Sequence, residues 1–266
     1  MTANPPSRLR ADAVTAGYDK HMILTELSVA IPADSFTVIV GANACGKSTL
    51  LRALSRLLAP SSGTVLLDGA SIASLPAKEV ARRLGLLPQS SLAPDGITVA
   101  ELVARGRHPH QRILRQWSAA DEAAVLAAMD ATGVTDLSAR RVDELSGGQR
   151  QRVWVAMVLA QETRLLLLDE PTTFLDIAHQ IELMDLFAEL HESGATVVAV
   201  LHDLNHAARY ATHLIAMKDG AVVAEGPPAE IVTAELVADV FDLPCVVAPD
   251  PVTGTPSVFP IGRGSC

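Results

Sequence analysis

Two apolar stretches between Leu24 and Val40 are separated by Pro32, Ala33 and Asp34; the second, with Phe36, Val38, Ile39 and Val40, is largely β-branched and ends at Gly41. This pattern predicts a strand running into a glycine loop. Past Lys47, the positions Leu50, Leu51, Leu54, Leu57 and Leu58 follow helical spacing and stop ahead of Pro60, which cannot continue a helix. Strand, glycine loop and helix are thus expected in that order. Val65 to Leu67 before Asp68-Gly69, and Leu84 to Leu87 before Pro88-Gln89, read as two more strands.

Between about Gln89 and Gln161 the texture shifts from short apolar strands to amphipathic helices. Thr98-x-x-Glu101 and Ser146-x-x-Gln149 have capping-box spacing, and Ser118-x-x-Asp121 is a weaker version. Strands return at Leu165 to Leu168 and Thr196 to Leu201 around a helical stretch from Ile177 to Leu190, the β-α-β alternation of a parallel sheet. A last helical stretch follows Pro227-Pro228 and runs to about Phe241; the Pro-rich tail after it is expected to be ordered only in part.

Composition narrows this α/β reading. A chain of 266 residues suits one enlarged domain. An apolar fraction of 49% beside 19% charged residues excludes intrinsic disorder, and no apolar run approaches the roughly 18 residues of a membrane span. Lys+Arg 21 against Asp+Glu 30 gives a net charge of −9, the wrong sign for wrapping nucleic acid, and 3% aromatic residues offer few rings for stacking bases. Met1 to Arg10 carries Pro5 and Pro6 but no apolar run, so a secretory signal is not expected and the chain is expected in the cytosol. Cys45, Cys245 and Cys266 lie far apart without C-x-x-C spacing and read as reduced thiols.

The candidate chemistry starts at Gly41-Ala42-Asn43-Ala44-Cys45-Gly46-Lys47-Ser48, which fits G-x-x-x-x-G-K-[ST] with a strand before and a helix after. Gly41 and Gly46 let the backbone curl so that N–H groups converge on phosphate oxygens. The helix starting near Lys47 adds its positive end, the ammonium reaches the β- and γ-phosphates, and Ser48 is left to hold Mg²⁺. The bland alternative is a glycine turn followed by chance by Lys-Ser. At Arg164-Leu165-Leu166-Leu167-Leu168-Asp169-Glu170 an apolar strand delivers two carboxylates at its C-terminal end, the edge where open α/β sheets bind ligands. Asp169 suits Mg²⁺, and Glu170 suits a water that attacks the γ-phosphate; on the plainer reading the pair only ends a strand.

A P-loop alone also fits kinases, GTPases and motors, but Leu145-Ser146-Gly147-Gly148-Gln149 resembles the signature motif of ATP-binding cassette ATPases. Ser146 would cap a helix, Gln149 would answer from the third position, and the paired glycines would leave backbone N–H groups bare for an anion. The resemblance covers about Arg10 to Leu243. It implies a P-loop NTPase α/β fold: a RecA-like parallel-sheet core, an antiparallel β part, and an α-helical subdomain inserted at about 90–160 of a single ATP-binding domain, 7–243, before a tail, 244–266. Carried onto this chain, the family pattern has Tyr18 stack on adenine and Gly41, Ala42, Asn43, Ala44, Cys45, Gly46, Lys47, Ser48 and Thr49 hold the phosphates. Gln89 matches the glutamine that touches the metal and attacking water and senses a permease. Pro171 to Asp176 resembles the D-loop, with Asp176 acting across a dimer, and His202 matches the switch histidine at the γ-phosphate. Ser48, Gln89 and Asp169 are then the Mg²⁺ residues, Glu170, His202 and Gln89 the catalytic ones, and Ser146, Gly147, Gly148, Gln149 and Asp176 serve the ATP of a second copy. Cys45 departs from the small residues usual in that loop, although related importers also use cysteine there.

Finer likeness lies in Gly106-Arg107-His108-Pro109-His110, in Thr173 to Gln180 (TFLDIAHQ) and in His202 to Ala211 (HDLNHAARYA); Asp250 to Gly254 (DPVTG) points the same way. These resemble ATPase subunits of iron(III)-siderophore, haem and vitamin B12 importers. That resemblance implies ATP and Mg²⁺, a homodimer, membrane permease subunits, a periplasmic or lipoprotein substrate-binding protein, no nucleic acid, and a place on the cytoplasmic face of the membrane. One rival is a soluble cassette ATPase in iron-sulfur assembly, repair or translation, which would need a coiled-coil insertion, a second cassette or a dedicated partner surface; the other is a non-hydrolysing ATP-gated interaction module, which the presence of both Glu170 and His202 disfavours. His202 and His206 also have the i, i+4 spacing of a helical zinc pair, but Asp203 stands where Glu is expected and no third ligand is evident. Arg105, Arg107, His108, His110, Arg112 and Arg115 read as a solvated basic face, or as one that meets a permease loop or anionic lipid.

Overall fold

A computed structural model describes residues 7–19, 21–89, 92–111 and 117–262. Along the chain run β1 (Ser7–Tyr18), β2 (His21–Pro32), β3 (Phe36–Gly41), α1 (Lys47–Leu54), β4 (Ser62–Leu67) and β5 (Ala70–Ser71). Then come α2 (Ala77–Arg83), β6 (Leu84–Leu87), α3 (Val99–Ala104), α4 (Ala119–Ala131), α5 (Gly147–Leu159), β7 (Leu165–Asp169), α6 (Ile177–Glu192) and β8 (Thr196–Val200). The chain continues through α7 (Leu204–Tyr210), β9 (His213–Lys218), β10 (Ala221–Gly226), α8 (Pro228–Ile231), α9 (Ala234–Phe241), β11 (Cys245–Pro249) and β12 (Pro256–Pro260). It divides into two compact units, one made of Met1–Ser74 with Val198–Cys266 and the other of Leu75–Val197.

In the first unit β1 lies between β2 and β4 in an antiparallel sheet. The sequence pattern does not announce β1. Its register shifts between Ala11 and Val14, where Ala13 takes φ 47°, so a bulge breaks the alternation by which Leu9, Ala11, Val14 and Ala16 face the core. The strand predicted ahead of the glycine loop forms as β3. It is buried along its whole length and pairs in parallel with β9, from Thr37 opposite His213 to Gly41 opposite Met217. A tight turn through Asp219 (φ 48°) and Gly220 (φ 79°) returns the chain as β10, whose alternating exposure marks an edge strand.

Two expectations for this unit change. The helix after Lys47 ends at Leu54, not beside Pro60: Ser55 caps it, Arg56 takes the left-handed φ of 66°, and Leu57 is exposed. Three of the five leucines keep the helical spacing because only they face the core. The Pro-rich tail is not a loose end either, since Cys245–Pro249 and Pro256–Pro260 pair antiparallel around a turn shaped by Asp250, which accepts from Val252 N and Thr253 N at 2.8 and 2.9 Å. Its last residue, Cys266, lies outside the described residues, as do Met1 to Pro6.

In the second unit β6 and β7 pair in parallel, Leu84 opposite Leu165 through Leu87 opposite Leu168. Helices α3, α4 and α5 all begin with complete capping boxes, the Ser118–Asp121 one included. The basic run dissolves as a single face. Arg107 is buried, with Nε 2.9 Å from Asp121 Oδ1 and Nη1 2.7 Å from Ala160 O and 2.6 Å from Glu162 Oε2. His110 Nε2 sits 2.8 Å from Gln161 O. Both side chains are thus spent on the C-terminal end of α5; Arg112 and Arg115 lie outside the described residues. Among the described residues no helix is long and apolar enough to cross a membrane.

Hydrogen bonds from Ser118 and then Arg107 hold the Asp121 carboxyl below its ordinary pKa. Its contribution is therefore complete above the unfolded pKa of Asp and is lost as pH falls through the lower folded value. Arg107→Ala should cost about 3–5 kcal/mol, because it leaves a buried carboxylate partly unpaired. Asp121→Asn should flatten the acid limb of stability; urea unfolding of wild type and both variants from neutral to acid pH checks both.

Candidate phosphate and signature sites

The glycine loop is built from its backbone outward. Gly41 closes β3 at φ 154°, and a Cβ there would lie 2.3 Å from Met217 O and 2.7 Å from Cys45 Sγ. Gly46 caps α1 at φ 106°, a conformation side chains rarely take. The loop is also pinned from beneath: Gly220 N donates to Cys45 O at 3.0 Å, and a Cβ on Gly220 would meet Ile23 O at 1.9 Å. Sequence reasoning missed Gly220, although its place after Asp219 is a turn signal. Ala42 is half-buried and Asn43 and Ala44 are exposed, so they form the rim, while Thr49 is buried in the first turn of α1.

Lys47 is only 5% exposed, and its Nζ donates to Gly41 O at 2.8 Å and Ala42 O at 2.9 Å, holding the ammonium within the loop. Cys45 is buried, its sulfur 4.0 Å from that Nζ. Tyr18 ends β1 with its ring partly exposed; its hydroxyl accepts from Arg52 Nη1 at 2.9 Å, and the guanidinium carbon lies 6.0 Å from the ring centroid. His202 is exposed between Leu201 and Asp203, which caps α7 by accepting from Asn205 N and His206 N. Among the described residues no cluster of three or more His, Cys, Asp or Glu suited to a metal is present.

The second unit carries the carboxylates and the signature. Asp169 ends β7 at 2% exposure, and Glu170 follows in the left-handed region at φ 53°. Strain of that kind, about 1–3 kcal/mol, collects at functional sites. Thr173 holds the turn through its N–H to Glu170 O at 3.2 Å and its hydroxyl to Glu170 Oε2 at 3.4 Å. Ser146 Oγ accepts from Gln149 N while Gln149 Oε1 accepts from Ser146 N, both at 3.2 Å, completing the predicted cap of α5.

The two signature glycines have a second use. A Cβ on Gly147 would lie 3.3 Å from Phe174 Cβ, and one on Gly148 3.2 Å from Leu175 Cδ2, so the D-loop packs directly on the helix start. Phe174 reaches this position at φ 68° and stays 76% exposed. Ser146, Gly147, Gly148, Gln149 and Asp176 all line one cavity of about 390 Å³, together with Arg152 and His179, which sequence reasoning did not single out. Arg152 Nε is buried, with no hydrogen-bond partner among the described residues. Asp176 Oδ1 accepts from His179 N at 3.0 Å and lies 2.7 Å from His179 Nδ1; these bonds, the backbone one foremost, hold its carboxyl below the ordinary value. Gln89 lines a neighbouring cavity of about 450 Å³ with Gly147, Arg150, Gln151, Trp154, Thr173 and Phe174.

A P-loop on a parallel strand, a carboxylate-ended apolar strand and a capped twin-glycine helix define an ATP-hydrolysing cassette. Residues 24–173 match the family model described as ABC transporter, and the chain belongs to that family as its ATPase component. It is 58% identical over 258 residues to the ferric enterobactin transport ATP-binding protein of Escherichia coli K12, covering 97% of this chain and 95% of that one. It is 54% identical over 261 residues to a probable siderophore transport system ATP-binding protein of Bacillus subtilis 168, covering 98% and 95%. A dimeric ATP-binding cassette in a post-hydrolysis state bound to ADP and Pi superposes with a TM-score of 0.73 at 28% identity, over 82% of this chain and 98% of that one.

Gly41→Ala should strain the loop by about 2 kcal/mol or more, because its Cβ would press on the Met217 carbonyl. A fall of several degrees in the thermal midpoint, with weaker binding of a fluorescent ATP analogue, is the expected result; Gly69→Ala, at an open turn, is the matched control.

Proposed function

We propose that this chain is the ATP-hydrolysing subunit of an importer for an iron(III)-siderophore-type chelate. It works as a homodimer on the cytoplasmic face of the membrane with permease subunits and an external substrate-binding protein. The observation that carries the dimer is the mismatch in phosphate-directed features: two helix starts, at Lys47 and at Gly147, against one carboxylate pair at the end of a buried strand, Asp169-Glu170, among the described residues. The simplest use of both is a nucleotide gripped by the P-loop of one copy and the signature of the other. The chelate class is supported by the names of the two close relatives, which match nearly the whole chain.

In this reading Tyr18 stacks on adenine, and the amides from Ala42 to Thr49 with Lys47 bind the phosphates. Glu170 accepts a proton from the attacking water, while His202 and Gln89 orient the γ-phosphate. Ser48, Gln89 and Asp169 offer the hard oxygen donors that suit Mg²⁺, which when bound would neutralise charge on the phosphates. Asp169 presents a carboxylate already desolvated at the strand end. Signature residues of the second copy complete the site, so closure and hydrolysis are coupled. A cleft of about 510 Å³ lined by Ile97, Arg105, His108 and Trp117 supports the second unit as the face that meets the permease.

Glu170→Gln should lower the hydrolysis rate by about 10²–10⁴-fold and leave ATP binding intact, accumulating a dimer visible by size-exclusion chromatography. An unchanged rate removes Glu170 from this role. Lys47→Ala should abolish binding in titrations with a fluorescent ATP analogue. The chelate assignment is checked by growth of a strain lacking the gene on single iron chelates, haem or cobalamin as sole source, and by co-purification with a polytopic membrane protein.

A further inference from the structure

The C-terminal hairpin, which the assigned chemistry leaves unused, is fastened to the short helix that follows His202. Asn205 Oδ1 accepts from Val258 N at 2.7 Å, and its Nδ2 donates to Val258 O at 3.3 Å. One carboxamide thus takes both backbone groups of a buried β12 residue, as a neighbouring strand would. One turn further along α7, Arg209 Nη2 approaches Asp250 Oδ2 at 3.5 Å, at the turn of the same hairpin. Residues 205 and 209 share a helix face, so the hairpin is held at two points along α7.

His202 sits on a connector tied at both ends. Before it, Leu201 N donates to Ile39 O on β3 at 3.3 Å. After it, Asp203 Oδ1 accepts from Asn205 N at 2.8 Å and His206 N at 2.9 Å. Asn205 belongs to both fastenings, its backbone to the cap and its side chain to the hairpin. Helix α7 has only 7 residues, and the side chains it buries fully are the small Ala207 and Ala208. A helix of that length does not hold itself in place.

We infer that hairpin β11–β12 sets the position of His202 through Asn205, which is a positioning residue for hydrolysis. The inference rests on the reading of His202 as the group at the γ-phosphate. Loss of the clamp leaves the Asp203 cap in place but unties α7 from the hairpin, so the helix that anchors the connector is less firmly seated and the imidazole no longer meets the transferring phosphoryl group in a fixed geometry. Nucleotide affinity stays with the glycine loop.

The test is steady-state hydrolysis of MgATP by the full-length chain carrying Asn205→Ala, His202→Ala or both. Asn205→Ala should lower kcat about tenfold, the scale on which small misplacements act, with KM for ATP within about twofold of wild type. In the His202→Ala background the same change should have no further effect, since there is no imidazole left to place. Asn205→Asp, which keeps the acceptor for Val258 N and loses the donor to Val258 O, should fall between; it also serves if the alanine variant does not fold. Wild-type kcat in both Asn205 variants overturns the inference. So does an equal fold-loss with and without His202, which assigns the hairpin to scaffold alone. Full activity in His202→Ala overturns the role of His202 and the inference with it, and that outcome is distinct from a failure confined to Asn205.

Discussion

The charge on Lys47 is the interaction around which the first unit is arranged. An ammonium held at 5% exposure is tolerable only where oxygen dipoles replace its water, and Gly41 O and Ala42 O supply them. Those carbonyls reach the nitrogen because the loop curls through conformations open to glycine, and because β9 and the Asp219-Gly220 turn press on the loop from below. The need for a bare backbone at Gly41, Gly46 and Gly220 and the need to solvate one cation are thus one constraint. It also explains why the loop follows a wholly buried parallel strand: such a strand gives the loop a fixed floor.

The glycines of the signature answer to two constraints at once. Bare N–H groups at the start of α5 would suit an anion on their own, and that was the only reason the motif suggested for them. Phe174 and Leu175 supply the other, lying where any Cβ on Gly147 or Gly148 would intrude. The tip of α5 and the loop after Glu170 are therefore packed directly against each other. Gln151 Nε2, donating to Pro171 O at 2.9 Å, ties the same loop one turn along the helix. At this contact Phe174 has a left-handed backbone and a largely exposed side chain. Such a backbone is stable only where neighbouring packing fixes the conformation.

Features that depend on local chemistry were legible from the sequence. The glycine loop between strand and helix, the three capping boxes and the carboxylates ending an apolar strand each follow from a few adjacent residues. What stayed hidden depends on partners distant along the chain. β1 lost its alternation to a bulge, which only pairing with β2 and β4 makes sensible. Arg107 read as surface charge because Asp121 and Glu162 lie 14 and 55 positions away. The tail looked loose because proline suits edges and turns, and nothing local reveals that Asn205 will clamp Val258.

Glycine conformations, the buried ammonium and the packed signature argue for a phosphate-driven machine without reference to any relative. They say nothing of cargo, because a site built for triphosphate has no contact with what a partner carries. The identity of the chelate therefore rests on likeness to the two transport proteins, while hydrolysis rests also on residues whose chemistry is visible. A chain could keep the glycine loop, the carboxylate-ended strand and the packed signature and serve a different permease; it could not change Gly41 or Lys47 and keep the same loop.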